Sequence, residues 1–308
     1  MPKRTHDYDN VFKTMKSKHR RLFISVINDI FGRDYPMDAE VGIFPSEGYL
    51  TEKETVDGSR EIEELISDFL IRIGGEIYLL ECQSYDDGSM AIRIAEYAFI
   101  AARQSATWDI GHATIPMPRF SILYIRKTES TPKTTTVTFT FPDGQAVDYE
   151  SANVILEDLT KEYIVEKRLF PYIPFYIARY EKELVSGNRT EAAAADLTYF
   201  RDEMVRLHKE GELLDHEIID LMGFVNTIIT HITNGNQNEE RLVHIMGGIV
   251  IETESEKLLR KGKAEMLIEI SLEEGLDNTA ILKKLQDKIG LSSEQAGIYL
   301  TQYGRQLA

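Results

Sequence analysis

The chain has 308 residues, 35 Lys and Arg against 51 Asp and Glu, a formal net charge of −16, and 43% hydrophobic residues. That length admits one large domain or two modest ones with ample core, and no apolar run approaches the ~20 residues that a membrane span needs. The single cysteine, Cys82, excludes an intrachain disulfide and any multi-cysteine zinc site.

The opening Met1-Pro2-Lys3-Arg4-Thr5-His6-Asp7 carries no apolar signal-peptide stretch, so a cytoplasmic location is expected. Positive charge is local. Lys3, Arg4, Lys13, Lys16, Lys18, Arg20 and Arg21 face only Asp7 and Asp9 over the first 21 residues. Global acidity argues against tight non-specific binding of nucleic acid, which works through phosphate contacts. A local basic entrance remains compatible with it, and so does a plain solvated helix face.

In chain order, apolar residues at three- and four-residue steps predict a first helix over 9–31, stopped at Gly32. A strand and exposed turn follow over 40–57, then a hairpin over about 61–73 and 76–84. Residues 84–89 read as a loop and 89–106 as a helix on which Arg93 and Tyr97, four apart, are neighbours. Residues 111–118 read as a connector, with Trp108 and His112 as packing residues, and 120–125 as a strand. Residues 134–141 and 145–156 are expected to pair around Pro142-Asp143-Gly144. From about 158 the chain turns helical, with a Pro-broken joint at 169–177, helices at 191–209 and 212–233, a break at 234–238, and a long helix from 239. The tail from Gly275 to Tyr303 splits into two short helices with Asp277 and Ser292 as N-caps, the latter in capping-box spacing with Gln295. This order predicts an α/β fold, a mixed sheet flanked by helices and followed by a helical C-terminal region. The expected domains are 1–180 and 181–308.

The most informative stretch is the hairpin from Ser67 to Gln83. Gly74-Gly75 suits a two-residue primed turn. With those two as the turn, Ile73 pairs with Glu76, and counting back places Asp68 opposite Glu81, with Cβ atoms roughly 4.5–5.5 Å apart. Gln83, two residues on, projects from the same face. The flanks are apolar on both faces, as in a buried central pair of strands. Two facing carboxylates there need a cation, and a divalent metal is one answer. The alternatives are an arginine, Arg72 or Arg93, or a proton held by burial and the like charge.

Asp68, then Glu81-x-Gln83, then a helix with Arg93 and Tyr97, resembles the core of the PD-(D/E)XK nuclease superfamily. His6-Asp7-Tyr8-Asp9-Asn10-Val11-Phe12-Lys13 is similar to the Asp-x-x-Phe-Lys signature of the recombination-promoting nuclease (Rpn) and PD-(D/E)XK transposase-like family. Glu81-Cys82-Gln83-Ser84, Met90-Ala91-x-Arg93 and Tyr97 resemble its Glu-x-Gln-Ser and Arg/Tyr helix. The segment from Leu169 to Tyr180 and the tail from Lys261-Gly-Lys-Ala-Glu265 also look like that family.

The resemblance implies a restriction-endonuclease-like fold and metal-dependent cleavage of DNA. Asp68 and Glu81 would hold Mg²⁺ (Mn²⁺ or Ca²⁺ as substitutes) through oxygen, the hard-cation pattern, with the Cys82 backbone carbonyl as a further ligand. Asp9 is a candidate extra carboxylate, its alternative being a helix N-cap or first-turn acid. Gln83 stands where the superfamily at large has lysine. It can orient water but supplies no full positive charge, a task that falls to Arg93 or Lys13. Partners so implied are DNA and a second copy of the chain, with no membrane.

Other chemistry has less support. No His-x-x-x-His occurs, His208 and His216 being eight apart. No Gly-rich phosphate loop is present, and Cys82 reads as a buried small hydrophobe. The competing function is a catalytically silent member of the fold, serving as a scaffold in mobile elements or phage defence. DNA reading by a tail like a helix-turn-helix unit has the least support.

Overall fold

A computed structural model describes residues 6–43, 49–54, 60–65, 69–83, 88–188, 191–247, 254–289, 291 and 293–304. By contacts the chain divides into two compact units, Met1–Leu213 with Glu217–Ile249, and Leu214–His216 with Val250–Ala308. The helices between 181 and 247 thus group with the sheet.

The first unit opens with α1 (His6–Lys18), a short 3-10 turn at Arg20–Leu22, and α2 (Phe23–Phe31). The helix predicted over 9–31 is therefore two. His19 breaks it with φ −126° and ψ 46°, turning its buried ring toward Asp220, 2.8 Å away. Gly32 ends α2 in the left-handed region at φ 60°, as expected.

Strands β1 (Gly42–Ile43), β2 (Tyr49–Glu54), β3 (Arg60–Leu65), β4 (Phe69–Ile73) and β5 (Glu76–Gln83) follow. Of the strand predicted over 61–73, β3 pairs with β2 in a two-stranded sheet and β4 belongs to the main sheet, while 66–68 lie outside the described residues. Next come α3 (Met90–Gln104), a small hairpin of β6 (Thr107–Asp109) and β7 (His112–Thr114), β8 (Arg119–Tyr124), a ribbon of β9 (Thr134–Thr140) and β10 (Ala146–Ala152), and β11 (Val154–Ile155). The main sheet is mixed, in the order β1-β4-β5-β8-β11. Pairs β1–β4 and β4–β5 are antiparallel; β5–β8 and β8–β11 are parallel. The parallel step from β5 to β8 requires a crossover, which α3 supplies.

The β4–β5 register is the one read from sequence, Ile73 opposite Glu76 and Phe69 opposite Leu80. One face of the sheet (Leu70, Leu79, Phe120, Ile122) packs on Ile94, Ala98 and Ala101 of α3, with Val137 of the ribbon alongside. The other face carries an aromatic cluster in which Phe23 stacks on Phe69 at 4.4 Å and Phe12 meets both Phe69 and Phe175. Burying each such ring is worth roughly 1.5–3 kcal/mol.

The remaining helices of this unit are α4 (Lys161–Glu166), α5 (Ile173–Tyr176), α6 (Glu181–Val185), α7 (Glu191–Lys209), α8 (Asp215–Thr233, of which the unit takes Glu217 onward) and α9 (Glu239–Gly247). Thr160 caps α4, its hydroxyl accepting from the Tyr163 amide. The second unit holds α10 (Glu254–Glu273), α11 (Asn278–Ile289) and α12 (Ser293–Gly304) around Ala264, Ile268, Ile281, Leu285, Ala296 and Tyr303. Asp277 caps α11 as expected, accepting from the Ala280 amide at 2.8 Å, whereas Ser292 lies outside the described residues. Among the described residues, no helix is long and apolar enough to cross a membrane.

Candidate active site

Glu81 is the third residue from the end of β5 and is 0% exposed. Alternation puts it on the same face as Leu79 and Ile77, against α3, and the parallel register sets it beside Ile122. A carboxylate in such surroundings is costly unless a cation or hydrogen bonds meet it. Arg93, on the first turn of α3, places Nη2 at 3.2 Å from Oε2 of Glu81. The same guanidinium lies 5.7 Å from the Tyr97 ring centroid and 3.5 Å from its hydroxyl, so the Arg93–Tyr97 neighbourhood is as the spacing predicted. Arg93 is 29% exposed, so the pair reaches from the core toward solvent.

Of the two arginines considered as partners for Glu81, Arg93 makes the contact. Arg72 pairs across the strand with Ile77 and donates to the Ser105 hydroxyl at 2.7 Å. Gln83 ends β5 half-buried, and its backbone carbonyl accepts from the Ile125 amide at 2.9 Å. Cys82 is buried and pairs with Leu123 on the opposite face from Glu81, as the alternation required. Asp68 lies outside the described residues, as does Ser84.

Asp9 stands in the first turn of α1, half-buried, and α1 begins three residues earlier, so it is not the N-cap. That end of α1 is brought to the C-terminal end of the sheet by Arg126, two residues past β8, whose Nη2 donates to the Tyr8 hydroxyl at 3.2 Å. Arg126 also pairs with Glu181. Lys13 is exposed on the same helix.

Among the described residues the Glu81 carboxylate is a hard oxygen donor, of the kind that suits Mg²⁺ and not a soft ion. Arg93 shares the charge of one Glu81 oxygen, so a cation there would sit beside a guanidinium.

The opposite end of the same strands carries a second polar cluster that sequence reasoning missed. Glu76 accepts from Arg33 through both oxygens at 2.6 Å, from Arg119 at 2.9 Å and from the Tyr78 hydroxyl at 3.0 Å. Burial raises the Glu76 carboxyl, but the hydrogen bonds from Arg33, Arg119 and Tyr78 together outweigh it, and its pKa falls below the ordinary value. The cluster borders a cleft of about 760 Å³ whose lining is mixed, apolar at Phe31, Met117 and Phe120 and charged at Arg72, Asp148 and Glu150. Burial pushes the Tyr149 phenol well up. Glu76 and Arg33 are 43 residues apart, and no short motif signals their meeting.

The expectation that Trp108 and His112 are packing residues in a connector does not hold. Both lie on the β6–β7 hairpin, and Trp108 is 76% exposed. The Ala-Thr-Trp and His-Ala-Thr runs around Ile110-Gly111 were the available signal, short runs astride a glycine.

Together the fold and this geometry define a mixed α/β protein with a buried acid near the C-terminal end of a central strand, met by an arginine of the crossover helix. Comparison with family models, with curated proteins and with solved structures found no match.

Proposed function

We propose that the chain is a divalent-metal-dependent DNA endonuclease of the Rpn and PD-(D/E)XK transposase-like kind. The observation that carries the reading is Glu81: a fully buried carboxylate kept in an apolar strand, with Gln83 after it on the same face and Arg93 and Tyr97 above it. Hydrophobic packing alone gives no reason for an ionisable group at that position.

In this reading Asp68, Glu81 and the Cys82 carbonyl hold Mg²⁺. The register of the described pairs through Phe69 is the one from which the sequence sets Asp68 opposite Glu81. When bound, the metal supplies Lewis acidity toward a scissile phosphate and makes water more acidic. Gln83 orients the attacking water by hydrogen bonding through its carboxamide. Arg93 offers a positive charge to the developing phosphate charge, and its contact with Glu81 holds the carboxylate in one orientation. Asp9 is a further carboxylate at the same end of the sheet. Substrate DNA, cytoplasmic location and a role in recombination belong to the same proposal.

A second reading, a catalytically silent scaffold, is favoured by the same Arg93. At 3.2 Å it compensates Glu81 without any metal.

Cleavage of supercoiled plasmid with Mg²⁺ or Mn²⁺ separates the two, with wild type beside Glu81→Ala and Gln83→Ala and with EDTA controls. Cutting by wild type, lost in folded Glu81→Ala and reduced in Gln83→Ala, supports the nuclease. No cutting by verified folded wild type favours the scaffold. Equal cutting by all three overturns this site.

A further inference from the structure

Arg93 stands in the first turn of α3, its amide donating to the Ser89 carbonyl at 3.1 Å. At that end of a helix the amide groups carry partial positive charge, and a cation is disfavoured. The helix therefore gives no reason for an arginine here. Around the guanidinium, the Met90 sulfur accepts from Nη1 at 3.3 Å and the Tyr97 hydroxyl lies 3.5 Å from Nη2. Both are neutral groups, so the ionic part of these contacts is the one with Glu81.

A guanidinium and a divalent ion compete for that carboxylate. Magnesium sits about 2.0–2.1 Å from a carboxylate oxygen, and Oε2 of Glu81 already lies 3.2 Å from Nη2 of Arg93. Two cations on one carboxylate repel strongly where the carboxylate is fully buried, because little solvent screens them. In the reading proposed above, Asp68 and Glu81 balance one divalent ion, which leaves the guanidinium surplus until a phosphate arrives. Arg93 has a way out. Its side chain already reaches solvent on a long, flexible stem.

We propose that Arg93 is an exchangeable cation: it neutralises Glu81, gives the carboxylate up to a divalent ion, and turns outward to meet the DNA phosphate. This rests on the metal-dependent nuclease reading and adds an order of events to it, metal before phosphate. Arg93 is thus a positioning residue that spares the unloaded site a bare buried carboxylate. Its contact with Glu81 belongs to the unloaded chain, and its charge to the substrate once the ion is held.

Full-length protein, stripped with EDTA and dialysed, is titrated with Mn²⁺ alone, the free ion being read by electron paramagnetic resonance. Arg93→Gln, its fold checked by circular dichroism, is expected to bind Mn²⁺ about tenfold more tightly than wild type, the competitor being gone. Arg93→Lys keeps the charge and is expected to stay nearer to wild type. Arg93→Gln combined with Glu81→Gln is expected to lose the gain. On the wild type itself, modification of Arg93 by a dicarbonyl reagent, mapped by mass spectrometry, is expected to speed up several-fold when Mn²⁺ is added. Equal or weaker binding by folded Arg93→Gln, or an unchanged modification rate with Mn²⁺ bound, overturns the exchange and leaves the metal reading standing. A gain that survives in the double variant overturns it as well, since the competition then lies away from Glu81. Absence of Mn²⁺ binding in every chain overturns the exchange and the nuclease reading together.

Discussion

Arg93 of α3 and Glu81 of β5 meet at 3.2 Å, joining the crossover helix to the central strand through a carboxylate that has no exposure at all. Removing the cation from such a pair is costlier than removing both charges, because the acid stays in an apolar setting. Arg93→Ala is therefore expected to lower stability by about 2 kcal/mol, discounted from the fully buried case because Arg93 itself reaches solvent. Arg93→Ala with Glu81→Gln is expected to lose less than Arg93→Ala alone. Urea midpoints of the two singles and the double measure the coupling, and an additive result would remove the pair from the account of the site.

Gln83 lies at the strand end, half-buried, where its carboxamide can hold water. If it orients the nucleophile, Gln83→Ala should slow single-turnover plasmid nicking about 10²-fold with little change in DNA affinity. Gln83→Glu should lower both, through added negative charge beside the phosphate. Unchanged nicking by Gln83→Ala would assign water positioning to another group.

Glu76 makes the acid limb of stability predictable in sign. Its folded pKa lies below the ordinary 4.5. The stability it contributes is therefore present above pH 4.5 and is lost as pH falls through the lowered folded value. The side chain is 41% exposed, so screening keeps the contribution below about 1 kcal/mol. Glu76→Gln should flatten the acid limb of the stability–pH profile, more at low salt than at high salt.

Gly74 and Gly75 close the β4–β5 turn at φ 57° and 86°, both in the left-handed region. They differ in surroundings. A Cβ on Gly74 would stand 2.8 Å from Cε1 of Tyr35, whose hydroxyl is held 2.8 Å from that of Tyr78, while one on Gly75 meets nothing within 4 Å. Gly74→Ala is expected to cost about 2–3 kcal/mol, strain and displacement together, and Gly75→Ala about 1 kcal/mol for strain alone. Thermal melts of the two variants test the order.

What the sequence determined by itself was local. Alternation and the Gly74-Gly75 pair set the β4–β5 register, so that Cys82 falls on the opposite face from Glu81. Four-residue spacing set Arg93 beside Tyr97, and single residues such as Gly32 and Asp277 placed helix ends. Each of these is decided by neighbours a few positions away, through pleat, turn and cap geometry. The tertiary structure decided which cation reaches Glu81. The sequence offers Arg72 and Arg93 alike, and the crossover of α3 over the sheet brings Arg93 to it and leaves Arg72 beside Ser105. Tertiary packing likewise split the first helix at His19, whose partner Asp220 is 201 residues away, and built the Glu76 cluster from Arg33 and Arg119. It also turned Trp108 outward. Such contacts close long loops, and their free energy comes from burial and charge pairing between segments that carry no mark of each other in the chain.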